Sequence, residues 1–183
     1  GAVAVALELG IKEDIIKNSL LGFKGIERRF SFVGKVNDIS IIDDYAHHPT
    51  EIKNTISAAK SLCSGKLIII FEPHRYSRII DLYDDFINSF DKADFLFVTN
   101  IYAAGEKHIE GISKESIIES IKDTGHKNVN FFENENSMEV ELIKISHKDD
   151  FIVFLGAGAS SKKARALEKN MLQLLKINSN KLN

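Results

Sequence analysis

Apolar residues fall into two rhythms along this chain. Residues 39–43, 67–71, 95–98 and 151–155 are short runs of Ile, Leu, Val and Phe with little alternation. Such runs suit strands covered on both faces, the mark of a parallel sheet. Between and after them, helical spacing recurs over residues 49–62, 79–90, 114–122, 135–145 and 161–175. Residues 29–36 alternate instead, which predicts a strand with Phe30 and Phe32 on one face and Arg29, Ser31 and Val33 on the other. Upstream, residues 2–9 read as the end of a helix stopped by Gly10. Residues 12–21 read as a second helix, with Ile15, Ile16, Leu20 and Leu21 on one face and Gly22 closing it. Alternating strands and helices imply an α/β fold: an open, mostly parallel, twisted sheet with helices on both faces.

In such a sheet, ligands sit beyond the carboxyl ends of the strands, and the reactive residue types gather there. The run 39–43 leads into Asp43-Asp44-Tyr45-Ala46-His47-His48-Pro49, and the run 67–71 into Glu72-Pro73-His74-Arg75-Tyr76-Ser77-Arg78. The run 95–98 leads to Tyr102-Ala103-Ala104-Gly105-Glu106, and the last to Gly156-Ala157-Gly158. Pro49 suits the first position of a helix, which places His48 near the N-cap and Glu51 in the first turn. Asp44, Tyr45 and His47 are then candidates for ligand binding. A shared metal ion is disfavoured, because His47 and His48 in extended chain point opposite ways. Arg75 and Arg78 share a face if their segment opens a helix, and paired guanidiniums grip carboxylate or phosphate; surface salt bridging is the bland alternative. For Arg28-Arg29, spacing alone leaves solvation and function even. Gly156-Ala157-Gly158 fails as a dinucleotide fingerprint and reads as a tight turn, while Lys162, Lys163 and Arg165 read as a solvated face. No G-x-x-x-x-G-K-[ST] phosphate loop occurs.

Composition narrows the classes further. With 24 Lys+Arg against 26 Asp+Glu and a net charge of −2, no basic face for nucleic acid is expected. No apolar stretch approaches the ~20 residues of a membrane span. Cys63 is a lone cysteine, expected at the core or its rim in a reducing compartment.

Taken together, Phe23-Lys24-Gly25-Ile26-Glu27-Arg28-Arg29-Phe30, the Asp43–Glu51 run, Phe71-Glu72-Pro73-His74-Arg75-Tyr76-Ser77-Arg78, Tyr102–Glu106 and Gly156–Gly158 resemble, in order, the C-terminal domain of the Mur ligase family. These are ATP-dependent amide ligases of peptidoglycan synthesis, and the His-Arg-Tyr-Ser-Arg segment favours the branch that joins L-alanine to UDP-N-acetylmuramate. The resemblance implies a Rossmann-like domain over residues 22–183, with residues 1–21 the end of a central ATP-binding domain. It implies ATP and Mg²⁺ as cofactors, bound mainly by that central domain, and an acyl-phosphate intermediate. It also implies UDP-N-acetylmuramate and L-alanine as substrates, the family's N-terminal and central domains as partners, no nucleic-acid or membrane partner, and a cytoplasmic location. By position, Arg29 would approach the γ-phosphate, and Asp44 the ATP ribose and domain closure. Tyr45, His47, His74, Arg75 and Arg78 would face the substrates, with His47 also catalytic. Ala159-Ser160 depart from the family's usual polar residue and Ile, so that turn is given no ligand. The chain alone is expected to be inactive. A murein-peptide ligase of cell-wall recycling and a metal-dependent phosphoesterase stand as alternatives.

Overall fold

The structure is a computed structural model. It describes all residues except 24, 133–136 and 182–183, and only the backbone of 174–181. Its centre is a six-stranded sheet of order β1-β2-β6-β3-β4-β5. The strands are β1 (Ser31–Val36), β2 (Ile39–Asp44), β3 (Leu67–Phe71), β4 (Phe95–Val98), β5 (Val129–Asn130) and β6 (Phe151–Leu155). Among the described residues, only the β1–β2 pair is antiparallel; the other four pairings run parallel.

The parallel strands alternate between two cores. Leu67, Ile69 and Phe71 of β3 face one cluster. It is covered by α3 (Pro49–Leu62), α4 (Tyr76–Asp81), α5 (Tyr83–Ile87) and α6 (Lys114–Asp123). Ile68 and Ile70 face the other, covered by α7 (Met138–Ile145) and α8 (Ser160–Lys181). Every residue of β3 is buried, which explains its unbroken apolar run: neither face meets water. Short α1 (Ala2–Glu8) and α2 (Glu13–Leu21) bury none of their residues.

Several expectations shift. Phe30 and Phe32 do not share a face. Phe30 precedes the strand in a left-handed conformation (φ 45°), and the ladder slips between Phe32 and Gly34. Phe30 therefore packs on the first core while Phe32 stands 64% exposed. The helix expected at 79–90 begins earlier and breaks at Leu82 (φ −127°, ψ 28°), giving α4 and α5. The expected start of the helix at 135–145 lies outside the described residues, and α7 is seen from Met138. Strand β5 had no sequence signal beyond Val129, being two residues long.

Register places the site. Asp44 and Phe71 both pair with Leu155, and Phe71 also pairs with Val98. The carboxyl ends of four parallel strands thus finish level. Beyond them, an isolated parallel bridge joins His74 to Tyr102. Arg75 N–H donates to the Tyr102 carbonyl at 2.9 Å and Tyr102 N–H to the Pro73 carbonyl at 2.8 Å. The loops after β3 and β4 are therefore tied together by backbone.

Candidate functional site

The turn after β2 is built around the Asp44 carboxylate. It is 5% exposed and accepts the backbone N–H groups of Phe30 and Ala46, each at 2.7 Å. Burial pushes the Asp44 carboxyl up, with those two donors opposing. Tyr45 N–H also donates to the Arg28 carbonyl at 2.7 Å. The left-handed residues Arg28 (φ 59°) and Phe30 are thereby stitched to the end of β2. Asp44 thus holds the chain that carries both arginines, and both of its oxygens are already engaged.

The two arginines then part. Arg28 turns inward: Nη2 donates to the Gly156 carbonyl at 2.6 Å and the Ser160 hydroxyl at 3.2 Å, and Nη1 to the Ala157 carbonyl at 3.4 Å. Its Nε lies 3.9 Å from the buried Asp43 carboxylate, and its guanidinium covers the Tyr45 ring at 4.7 Å. Arg29 turns outward, with its side chain 51% exposed and 3.3 Å from Glu51. It also lies 5.6 Å from the centre of the Tyr45 ring.

Helix α3 starts as the sequence predicts. His48 is the N-cap, its ring accepting Thr50 N–H at 3.3 Å, and Glu51 reaches back to the N–H groups of His47 and His48 at 3.2 and 3.3 Å. Burial works against the charged form of Glu51, but the His47 N–H and Arg29 outweigh it and hold the carboxyl below its ordinary range.

From Tyr45 a continuous ladder of rings crosses the sheet edge. Tyr45 meets His47 edge-on at 5.1 Å, His47 lies 5.6 Å from His74, and His74 stacks on Tyr102 at 5.2 Å. Arg78 Nη1 donates to His74 Nδ1 and to the His74 carbonyl, both at 3.2 Å. Burial, then the positive charge of Arg78, lowers the His74 pKa. Tyr45, His47, His74 and Arg78 are therefore brought together. Arg75 caps α4 in a left-handed conformation (φ 70°) and points its Nε toward Glu106 at 3.7 Å. It flanks the ladder and does not share a partner with Arg78.

Sequence reasoning gave Glu72 and Tyr102 no role of their own and left Arg28 even between solvation and function. Glu72 is 4% exposed and accepts Gly158 N–H at 2.9 Å and Ala159 N–H at 3.1 Å. A Cβ at Gly158 would lie 2.5 Å from Glu72 Oε1 and 2.9 Å from the Tyr102 ring. The glycine turn is a packing joint between the ends of β6 and β3. The one available signal for Glu72 was its place directly after β3.

The chemistry available is anion binding beside a pair of imidazoles: Arg29, Arg75 and Arg78 surround a ring-lined edge. Among the described residues, no group of three or more His, Cys, Asp or Glu could hold a metal ion. Also among them, no helix is long and apolar enough to cross a membrane.

This fold and edge define a class. Residues 28–158 match the family described as Mur ligase, glutamate ligase domain, and the chain belongs to that family. The match runs from Arg28 to Gly158, the two ends that close on each other here. Among relatives, UDP-N-acetylmuramate–L-alanine ligase of Rickettsia bellii is 50% identical over 171 residues, covering 91% of this chain and 35% of the relative. The enzyme of the same name from Agrobacterium fabrum is 42% identical, covering 93% of this chain and 36% of the relative. The solved UDP-N-acetylmuramate–alanine ligase of Thermotoga maritima aligns with a TM-score of 0.74 at 28% identity, covering 93% of this chain and 36% of that one. The chain thus spans little more than a third of the length of these relatives.

Proposed function

We propose that this chain is the C-terminal domain of an ATP-dependent ligase that joins L-alanine to UDP-N-acetylmuramate in cytoplasmic peptidoglycan synthesis. The observation that carries this reading is the ladder Tyr45–His47–His74 with Arg78 at its end, set at the carboxyl edge of a domain whose relatives bear that activity. Residues 1–21 are assigned to the preceding ATP-binding domain and 22–183 to this one. The exposure of Val3, Leu7, Ile15 and Leu20 on α1 and α2 supports that division, since such surface is ordinarily covered.

ATP, with Mg²⁺ held mainly by the rest of the enzyme, activates the substrate carboxylate toward amide formation. The residues here fit a share of that task. Arg29 is half-exposed and held only loosely by Glu51, so it can turn to a phosphate. Asp44 fits a ribose contact less well, because backbone donors engage both oxygens; its role is to position Arg29 and Tyr45. Arg78 suits the alanine carboxylate, which a guanidinium orients without touching the amine lone pair. No observation favours the phosphoesterase or the recycling ligase.

The test is phosphate release by the complete enzyme, with UDP-N-acetylmuramate, as a function of L-alanine. Alanine-dependent turnover is expected, and its absence would sink the reading. Arg78→Ala is expected to raise the alanine requirement, by the equivalent of ~2–5 kcal/mol if the bound carboxylate and Arg78 form a buried charge pair.

A further inference from the structure

The two ring nitrogens of a histidine are not equivalent, and each hydrogen-bond partner fixes which one carries the proton. His74 Nδ1 faces Arg78 Nη1 at 3.2 Å. A guanidinium only donates, so this nitrogen must be the acceptor, and the His74 proton sits on Nε2. His47 is the reverse. Its Nδ1 lies 2.8 Å from the Tyr45 carbonyl, which only accepts. Nδ1 therefore carries a proton, and in the neutral ring Nε2 holds the lone pair. Among the described residues, neither Nε2 has a protein hydrogen-bond partner, and the rings stand 5.6 Å apart.

We infer that His47 and His74 are locked in opposite neutral tautomers, so the cleft presents one imidazole lone pair beside one imidazole N–H, and that His47 is the proton acceptor for the substrate amine. This rests on the proposed function and assigns the division of labour within its site. The step is a single proton transfer. The ammonium of the incoming amino acid gives one proton to His47 Nε2, leaving a neutral amine with a free electron pair and an imidazolium. The new charge faces Glu51 Oε2, 3.7 Å from His47 Nδ1, and the Tyr45 carbonyl. His74 cannot take this role while Arg78 occupies its lone pair. It serves as a donor to developing negative charge.

The groups around both rings are consistent with this polarity. His74 is faced by Arg75 and Arg78 from α4, by His47 from the turn before α3, and by Tyr102 and Glu106 from the loop after β4. Burial, then the charges of Arg78, His47 and Arg75, lower its pKa. His47 is faced by Tyr45, Glu51 and His74, so the nearest carboxylate belongs to the ring asked to become positive.

The test reads the tautomers directly. The 183-residue chain is labelled with ¹⁵N-histidine, and long-range ¹H–¹⁵N spectra are recorded above the imidazole titration range. Signals are assigned with His47→Gln and His74→Gln. The expected result is opposite patterns: protonated Nδ1 at His47 and protonated Nε2 at His74. Arg78→Met should shift the His74 nitrogens toward tautomer averaging and leave those of His47 in place. Two rings of the same pattern, or a His74 signal indifferent to Arg78→Met, would overturn the assignment whatever the ligase assay gives.

The base role is read in the complete enzyme. His47→Gln should lower alanine-dependent turnover by about 10²–10⁴-fold. It should largely spare turnover with hydroxylamine, a nucleophile that is already neutral at the assay pH. Equal loss with both nucleophiles would remove His47 as the base. Failure of the parent enzyme to use alanine at all would overturn the base role and the proposed function together.

Discussion

At the scale of single residues, the site depends on close approaches more than on charge. Gly158 is set against Glu72 and the Tyr102 ring, with no room for a methyl group. Gly158→Ala is therefore expected to cost about 1–3 kcal/mol by overpacking, read as a lowered thermal midpoint. It should also disturb the turn that Arg28 grips. His74 makes a second prediction, through pH. Its folded pKa is depressed by burial and by Arg78, so between that value and the ordinary one the unfolded chain binds the extra proton. Stability is then full above about pH 6.5, the ordinary histidine value, and falls as pH drops through the window below it. Urea midpoints measured across that range should show the slope, and His74→Gln should flatten it.

The same scale shows where the sequence stops being informative. Arg28 and Arg29 are identical neighbours, and only the left-handed turn at Arg28 decides that one guanidinium goes inward to carbonyls and the other outward. Nothing in residue type or spacing encodes that choice. Asp44 was legible as a candidate because it ends a strand. Its saturation needs the Phe30 N–H, supplied by the turn that precedes β1, as well as the local Ala46 N–H.

At the scale of elements, burial on both faces made the parallel strands plain. Residues 67–71, 95–98 and 151–155 were read to the residue, as was α3, whose Pro49 and His48-to-Glu51 capping box are local signals. The elements misread are those set by partners. Strand β1 slips because its edge position tolerates a bulge. The α4–α5 break at Leu82 has no proline or glycine to announce it. Strand β5 exists because β4 offers an unpaired edge. Ile69 tests the buried-strand reading. It is fully buried between β6 and β4, on the face covered by α3 to α6. Ile69→Ala should cost ~2–5 kcal/mol through a cavity with few ways to collapse, measured by chemical denaturation, with the His47 and His74 tautomer pattern retained in the folded fraction.

At the scale of the whole molecule, a fold with two cores of its own carries its candidate site along one open edge. Two cores sandwich the sheet, so the chain should unfold cooperatively by itself. The ladder, by contrast, offers rings and guanidiniums along one open edge and no loop of the G-x-x-x-x-G-K-[ST] type to hold a triphosphate. Amide formation between a carboxylate and an amine needs both held in line, with the carboxylate already activated and water excluded. On the proposed reading, this edge grips the amine partner and lends a cation, and closure over the other reactant falls to the remaining domains. The 183 residues should accordingly release no phosphate and form no amide from ATP, UDP-N-acetylmuramate and L-alanine. Supplied in trans with the remainder of the enzyme, they should restore turnover if the apolar faces of α1 and α2 re-dock. Amide formation by this chain alone, followed by mass spectrometry of the product, would show that the edge is a complete active site and that its place within a larger ligase had been misjudged.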